Sequence, residues 1–324
     1  MKLTTNYLGI ELKNPLIISS SGLTNSLQKI KKLEEAGAGA VVLKSLFEEQ
    51  INRDALSMLK DADYPEAEDY ISNYTKNNTV DQYLDLIEQA KKTVNIPVIA
   101  SINCVSSKEW MSFARSIQEA GADALELNVF IFPDNIHENG YIYEQLYDDI
   151  LIALTKKIDL PVSVKIGQHF TNIPAFVKNL KGRGASGVVL FNRFYAPDID
   201  VETMTFTSSE VFSSPSDLRQ SLRWVGIVSS LVKNIDICAS TGVHDGIAVA
   251  KQLLAGATAV QICSVLYKNG PGYVSVILKD LEEWMKKHNF KSLQEFRGRM
   301  SYKNIPDPTI FERSQFMKYF STIQ

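Results

Sequence analysis

Two short turns late in the chain carry residue types suited to holding an anion. Ser240-Thr241-Gly242 follows the apolar run 235–239, and Cys263-Ser264 follows the run 259–262. Small residues at a strand end let backbone N–H groups approach a phosphate, and a helix that starts there adds its positive end. Asp245 and Gly246 open such a helix, with Ile247, Ala250, Leu253 and Leu254 at helical spacing and Gly256 as its stop. The same stretch fits an ordinary strand-to-helix pair without a ligand equally well. Two lysines, Lys44 and Lys165, stand at corresponding ends of two other apolar runs. A single strand-end lysine is usually just solvated, but two in equivalent places favour a ligand. Lys165 is also chemically suited to a Schiff base with a carbonyl substrate.

The elements that must position these groups form a repeat. Four helical segments end at Gly-Ala shortly before a strand, at Gly37, Gly121, Gly184 and Gly256. Glycine just past a helix takes the left-handed conformation that turns the chain back towards a sheet. Three other strands open as NIPVIAS, DLPVSVK and NIDICAS, and the two signatures alternate. With the first strand at 16–18, eight apolar strands each precede a helical segment. Such alternation predicts an α/β chain with a parallel sheet, and eight units over about 270 residues predict a closed (β/α)8 TIM barrel. The expected organisation is one barrel domain over 1–300, preceded by a small hairpin within 3–12 that breaks at Asn6 and Gly9, and a tail over 301–324. The mouth is expected to gather Ser19 to Gly22, Lys44, Ser45, Ser101, Asn103, Asn128, Lys165, Asn192, Arg193 and the two turns. Connections 46–78, 130–143 and 194–218 are extended active-site loops, the first with a small helix near 48–59 and the last with a short strand excursion. Residues 273–288 read as the last barrel helix and 292–300 as one more, with the tail packing on the barrel or on a partner subunit.

Composition bounds the function. A net charge of −3 gives no electrostatic case for nucleic acid or an anionic membrane. The first fifteen residues hold no apolar run long enough for a leader or an anchor, so the expected location is the cytoplasm. Cys104, Cys238 and Cys263 lack metal-ligand spacing and read as reduced, structural thiols; no metal is expected.

The strand-end residues together resemble the dihydroorotate dehydrogenase family, most closely its soluble class 1 members. The resemblance runs from Leu3 to Met300 through Asn14-Pro15, Ser21-Gly22, Leu43-Lys44-Ser45, Glu126-Leu127-Asn128, Val164-Lys165, Asn192, Thr241-Gly242 and Gln261-Ile262. It implies bound FMN, contacted by Ser21, Gly22, Lys44, Ser45, Asn103, Asn128 and Lys165. The phosphate would lie between Thr241-Gly242 and Cys263-Ser264, and Lys165 beside the pyrimidine edge of the ring. Lys44, Asn128 and Asn192 would line the substrate side. The implied activity is an FMN-dependent oxidoreductase acting on a CH–CH bond of a small molecule, dihydroorotate or a related compound, as a homodimer.

Three departures matter. The family usually has glycine before the phosphate-side threonine, where this chain has Cys263 before Ser264. Its catalytic Cys or Ser, in a pattern like Asn-Leu-Ser-Cys-Pro-Asn, is replaced by Asn128-Val-Phe-Ile-Phe-Pro-Asp-Asn, in which Phe130, Ile131 and Phe132 accept no proton. Its Asn-x-x-Gly-Leu-x-Asn orotate loop is absent, leaving only Asn73, Asn77 and Asn78 in that region. His137 is the expected substitute base because histidine titrates near neutrality, with His169 the other histidine at the mouth; a solvated loop residue is the competing reading of His137. Arg193, where relatives usually carry Ser or Thr, is expected to pair with a substrate anion, or else with Asp198 or Asp200. Two other functions stay open: a Schiff-base lyase using Lys165, and a non-catalytic barrel that binds FMN or a phosphorylated ligand.

Overall fold

The computed structural model describes residues 1–47, 68–104, 110–129, 131, 133, 135–193, 197–208 and 210–312, with backbone only at 68–77, 104, 110–112 and 208. The chain opens with a hairpin of β1 (Thr5–Tyr7) and β2 (Ile10–Leu12). Its two-residue turn is Leu8-Gly9, both at positive φ, so Asn6 sits inside the first strand, paired with Glu11, rather than breaking it. Then follow β3 (Leu16–Ile18), α1 (Leu27–Glu35), β4 (Ala40–Val42), β5 (Leu46–Phe47), α2 (Glu68–Thr93), β6 (Val98–Cys104) and α3 (Trp110–Glu119). The second half runs β7 (Ala124–Val129), α4 (Gly140–Thr155), β8 (Val162–Ile166), α5 (Ile173–Gly182) and β9 (Gly187–Leu190). A hairpin of β10 (Pro197–Asp200) and β11 (Thr205–Ser208) leads to α6 (Leu218–Leu231), β12 (Asp236–Ala239), α7 (Gly246–Ala255), β13 (Ala259–Ile262), α8 (Ser264–Asn269) and α9 (Tyr273–Lys287).

The barrel strands pair in parallel in the order β4, β3, β13, β12, β9, β8, β7, β6, and pairing of β4 with β6 closes the ring. This is the expected (β/α)8 barrel. The predicted glycine stops are present: Gly37, Gly121, Gly184 and Gly256 all have φ between +92° and +118°. Strand alternation splits the core in two. Leu16, Ile18, Val41, Val164 and Val188 face outward onto the helices, whereas Ile17, Ala40, Val42, Ile99, Ala124, Val189, Cys238 and Ala259 face the barrel axis. Tyr7, Leu8 and Leu12 of the hairpin join this axial cluster and plug the floor of the barrel. Two bonds anchor the plug: Leu8 N–H donates to Asp236 Oδ2 at 2.7 Å and Thr5 Oγ1 to the Thr258 carbonyl at 3.0 Å.

Some expected boundaries move. Helix α2 begins at Glu68, so the connection after β5 is shorter than 46–78; the helix expected near 48–59 lies outside the described residues. Helix α4 begins at Gly140, capped by the Asn139 side chain, which shortens the loop after β7. The 194–218 excursion is the β10–β11 hairpin. Residues 292–300 are not an α-helix: only Leu293–Glu295 makes a 3₁₀ turn. Leu293 and Phe296 are buried at helical spacing, but Gly298 takes φ +75°. The N–H groups of Gly298 and Met300 donate to Leu253 and Leu254 of α7 instead of to their own turn. The tail through residue 312 packs on the barrel: Tyr302 N–H bonds Gly226 O, and Phe311 lies against Gly226 of α6. Among the described residues, no helix is long and apolar enough to cross a membrane.

Candidate functional site

At the C-terminal ends of the strands lies a cavity of about 470 Å³. Its floor is built by inward-facing polar residues on three strands. Lys165 on β8 is 6% exposed, and its Nζ donates to Ser19 Oγ at 3.1 Å and to Gln261 Oε1 at 3.0 Å. Ser19 Oγ donates in turn to Gln261 Oε1 at 3.0 Å. Beneath them Glu126 on β7, 1% exposed, accepts from Gln261 Nε2 at 2.5 Å through Oε2 and holds Oε1 3.7 Å from Lys165 Nζ. Removing one member of a buried pair of this kind leaves an uncompensated charge and costs about 3–5 kcal/mol. The surrounding ionisable groups are neutral near physiological pH. Burial pushes the Tyr7 hydroxyl and the Cys238 thiol well up, and it raises the Cys263 thiol as well.

One wall is a chain of hydroxyls. Ser20 lines the cavity; its Oγ accepts from Ser45 N–H at 2.8 Å and lies 2.9 Å from Ser45 Oγ, and Ser45 Oγ lies 2.7 Å from Ser101 Oγ. Tyr83 OH locks the far end, donating to Ser101 O at 3.0 Å and accepting from Ser101 N–H at 2.7 Å. The other wall is the pair of turns. Thr241 and Gly242 both take left-handed φ, +78° and +76°. For a β-branched threonine that is a strained conformation, of the kind concentrated at functional sites. Ser264 begins α8, and its Oγ accepts from Ser213 N–H at 3.0 Å.

Residues 210–213 form a strap across the mouth. Arg193 clamps one end, with Nη1 donating to Val211 O at 2.7 Å, Nη2 to Glu210 O at 2.8 Å, and Nε 3.8 Å from Asp217 Oδ2. The other end is held by Ser264, by Lys268 Nζ donating to Ser213 O at 3.3 Å, and by His244 Nε2 3.2 Å from Ser213 Oγ. Phe212 stacks on Tyr267 with centroids 5.4 Å apart. Burial, then the Lys268 charge, hold the His244 imidazole below its ordinary value.

The predicted site residues divide accordingly. Ser21, Lys165, Asn192, Arg193, Thr241, Gly242, Cys263 and Ser264 line the cavity. Ser45 stands one hydroxyl behind Ser20, and Asn128 stands behind Asn192, whose Nδ2 donates to Asn128 Oδ1 at 2.8 Å. Asn103 is buried, its Oδ1 without a hydrogen bond among the described residues, Gly22 is covered by the Tyr267 hydroxyl, and Lys44 is exposed. The Arg193 fork is committed to backbone carbonyls and its carboxylate neighbour is Asp217, in place of the expected Asp198 or Asp200. His137 is an exposed turn residue whose N–H donates to Asn135 Oδ1, His169 is also exposed, and neither lines the cavity. Phe130, Phe132 and Asp134 of the same loop lie outside the described residues. Sequence reasoning missed the roles of Glu126, Gln261, His244 and the strap. For Glu126 and Gln261 a signal existed: each is a polar residue at an inward position of an otherwise apolar strand. Among the described residues, no group of three or more potential metal ligands is present.

Comparison with known proteins agrees with this architecture. The family model for dihydroorotate dehydrogenase matches residues 2–285. The chain is 28% identical to the dihydroorotate dehydrogenase B (NAD(+)) catalytic subunit of Thermoplasma acidophilum, over 91% of this chain and 98% of that one. It is 26% identical to the catalytic subunit of the same name from Methanocaldococcus jannaschii, over 91% and 97%. It is also 23% identical to the chloroplastic dihydropyrimidine dehydrogenase (NADP(+)) of Arabidopsis thaliana, over 91% and 76%.

Proposed function

Because the chain belongs to the dihydroorotate dehydrogenase family, we propose that it is an FMN-dependent oxidoreductase that takes hydride from a small cyclic substrate, dihydroorotate or a related dihydropyrimidine. The observation that carries this reading is the buried Lys165 ammonium at the cavity floor, held by Ser19 and Gln261 and backed by Glu126. The residues fit the cofactor: a cavity of about 470 Å³ is of small-molecule size, its floor presents a cation, and its wall presents the small-residue turns Thr241-Gly242 and Cys263-Ser264.

Bound FMN supplies the hydride acceptor. Lys165 holds positive charge where electron density accumulates, and its fixed position means that little reorganisation is needed. Asn192, oriented by its bond to Asn128, presents a carbonyl oxygen to the cavity, and Ser20 and Ser21 present hydroxyls. Arg193 reaches the substrate side through the strap it holds. His137 is the proposed proton acceptor, a role that its alanine variant tests below.

A Schiff-base lyase needs Lys165 as a neutral amine, and the carboxylate 3.7 Å away works against that. The relatives named as catalytic subunits support a separate subunit as the route to NAD. We further propose a cytoplasmic homodimer; Ile199, Val201, Met204 and Phe206 on β10–β11, all more than half exposed, support self-association. The test is the visible spectrum of the purified chain, followed by anaerobic mixing with dihydroorotate and with dihydrouracil. Flavin absorbance that bleaches with either compound is the expected result, and His137→Ala should slow the bleaching. Colourless protein that takes up no added FMN refutes the cofactor. Flavin that neither compound bleaches refutes the substrate class and leaves the binding barrel.

A further inference from the structure

Glu126 does not line the cavity, yet it is an acidic side chain placed on the axis of the barrel directly under Lys165. The groups that face the Lys165 ammonium come from several elements. Ser19 follows β3, Gln261 lies on β13 and Cys263 after it, Glu126 lies on β7 and Cys238 on β12, while Tyr7 of the floor plug faces Glu126 and Cys238 from below. Ser19 and Gln261 are uncharged, and burial keeps the two thiols and the phenol protonated. Among the described residues that leaves Glu126 as the anion facing Lys165.

The geometry between them is indirect. At 3.7 Å, Glu126 Oε1 is too far from Nζ for a hydrogen bond. Oε2 instead holds Gln261 Nε2, and that bond turns Gln261 Oε1 towards Nζ, 3.0 Å away. The Gln261 amide is thus set with its N–H₂ on the anion and its oxygen on the cation. Turned the other way, it would face N–H₂ to ammonium and oxygen to carboxylate, repulsive at both ends.

We propose that Glu126 is a positioning residue that acts through Gln261 to keep Lys165 a cation presented at the cavity floor. The functional consequence rests on the flavin reading above, but the charge state of Lys165 can be measured without flavin, so the two readings fail separately.

The test uses the full-length protein stripped of flavin, pulse-labelled at neutral pH with acetic anhydride, which acylates neutral amines and spares ammonium groups. Peptide mass spectrometry gives the labelling of Lys165 relative to the exposed Lys44. Glu126→Gln is expected to raise that ratio roughly tenfold or more, the factor that accompanies each unit of pKa displaced. The double variant Glu126→Gln/Gln261→Glu returns a carboxylate to the cluster with the amide and acid exchanged, and is expected to restore the wild-type ratio. An unchanged ratio in the single variant overturns the proposal. A raised ratio that the double variant does not restore also overturns it, because loosened packing then explains the labelling. Should the single variant fail to fold, a folded double variant with the wild-type ratio supports the proposal, and one that is unfolded or heavily labelled overturns it.

Discussion

Replacing Gly242 by alanine separates two reasons for a glycine in the turn beside the cavity. A Cβ built there would lie 2.1 Å from Leu218 N and 2.7 Å from both Asp217 C and Leu218 Cα, all backbone atoms at the start of α6. The substitution therefore meets the protein's own chain before it meets any ligand. Left-handed φ, here +76°, costs a non-glycine residue about 1–2 kcal/mol. Overpacking against backbone that cannot swing aside adds about 1–3 kcal/mol. Gly9, in the hairpin turn, is the internal control, since its φ is +78° but nothing lies within 4 Å of the added atom. Gly9→Ala should then lose only the conformational part, while Gly242→Ala loses about 1–3 kcal/mol more, on the order of 1.5–4.5 °C in melting midpoint for a chain of this length. Differential scanning calorimetry of both variants and the wild type measures this. Equal midpoints for the two variants would refute the contact with α6 as the reason for glycine. The comparison also shows why loss of flavin from a bulky variant at 242 cannot by itself locate a phosphate.

Other outcomes follow from the strap and the hairpin. Arg193→Lys keeps the charge and loses the fork; with a charge-assisted bond worth about 1.5–3 kcal/mol, chymotryptic cleavage at Phe212 should quicken roughly tenfold or more, and an unchanged rate would remove Arg193 as the clamp. His244 is held neutral in the fold while the unfolded chain titrates at 6.5. Its stability contribution is therefore complete above that pH and lost as the pH falls through 6.5 and below, and His244→Gln should flatten that part of a melting-temperature profile. The effect is small because the ring is partly solvated; a profile that is unchanged in the variant would exclude the histidine. Phe206→Glu should leave the melting temperature near wild type and convert dimer to monomer in sedimentation velocity, whereas a variant that stays dimeric would place the interface elsewhere. Lys165→Ala should lower the midpoint potential of bound flavin, and an unchanged potential would move that lysine away from the ring.

Features that depend on local chemistry are legible in the sequence. The Gly-Ala helix stops at Gly37, Gly121, Gly184 and Gly256 and the apolar strands between them were enough to close a barrel and to bring Lys165, Asn192, Thr241 and Ser264 to one mouth. What stayed hidden depends on which groups meet across the closed ring. Glu126 and Lys165 lie on neighbouring strands, but Gln261 reaches them only because β13 folds back beside β3. Arg193 and residues 210–211 are separated by a hairpin, so no spacing rule links them. The start of α2 was obscured by the polar run SNYTKNN, which resembles a loop by composition. Residues 292–300 read as a helix because a buried pair at i and i+3 suits a 3₁₀ turn strapped to α7 as well as it suits an α-helix.

The floor plug has a consequence for how the chain is made. Thr5 and Leu8 bond to Thr258 and Asp236, partners 253 and 228 positions later in the sequence, and Lys2 N–H bonds the Lys291 carbonyl. The hairpin leaves the ribosome well before its partners and is thus among the last segments to find its place. At roughly 5–20 residues per second, Tyr7, Leu8 and Leu12 wait on the order of 10–50 s before the strands that enclose them exist. During that interval the nascent barrel has an open end and a hairpin with exposed apolar side chains, a state that chaperones bind and that aggregates when they are scarce. Synthesis arrested before residue 258 should leave the hairpin open to protease, and release of the complete chain should protect it.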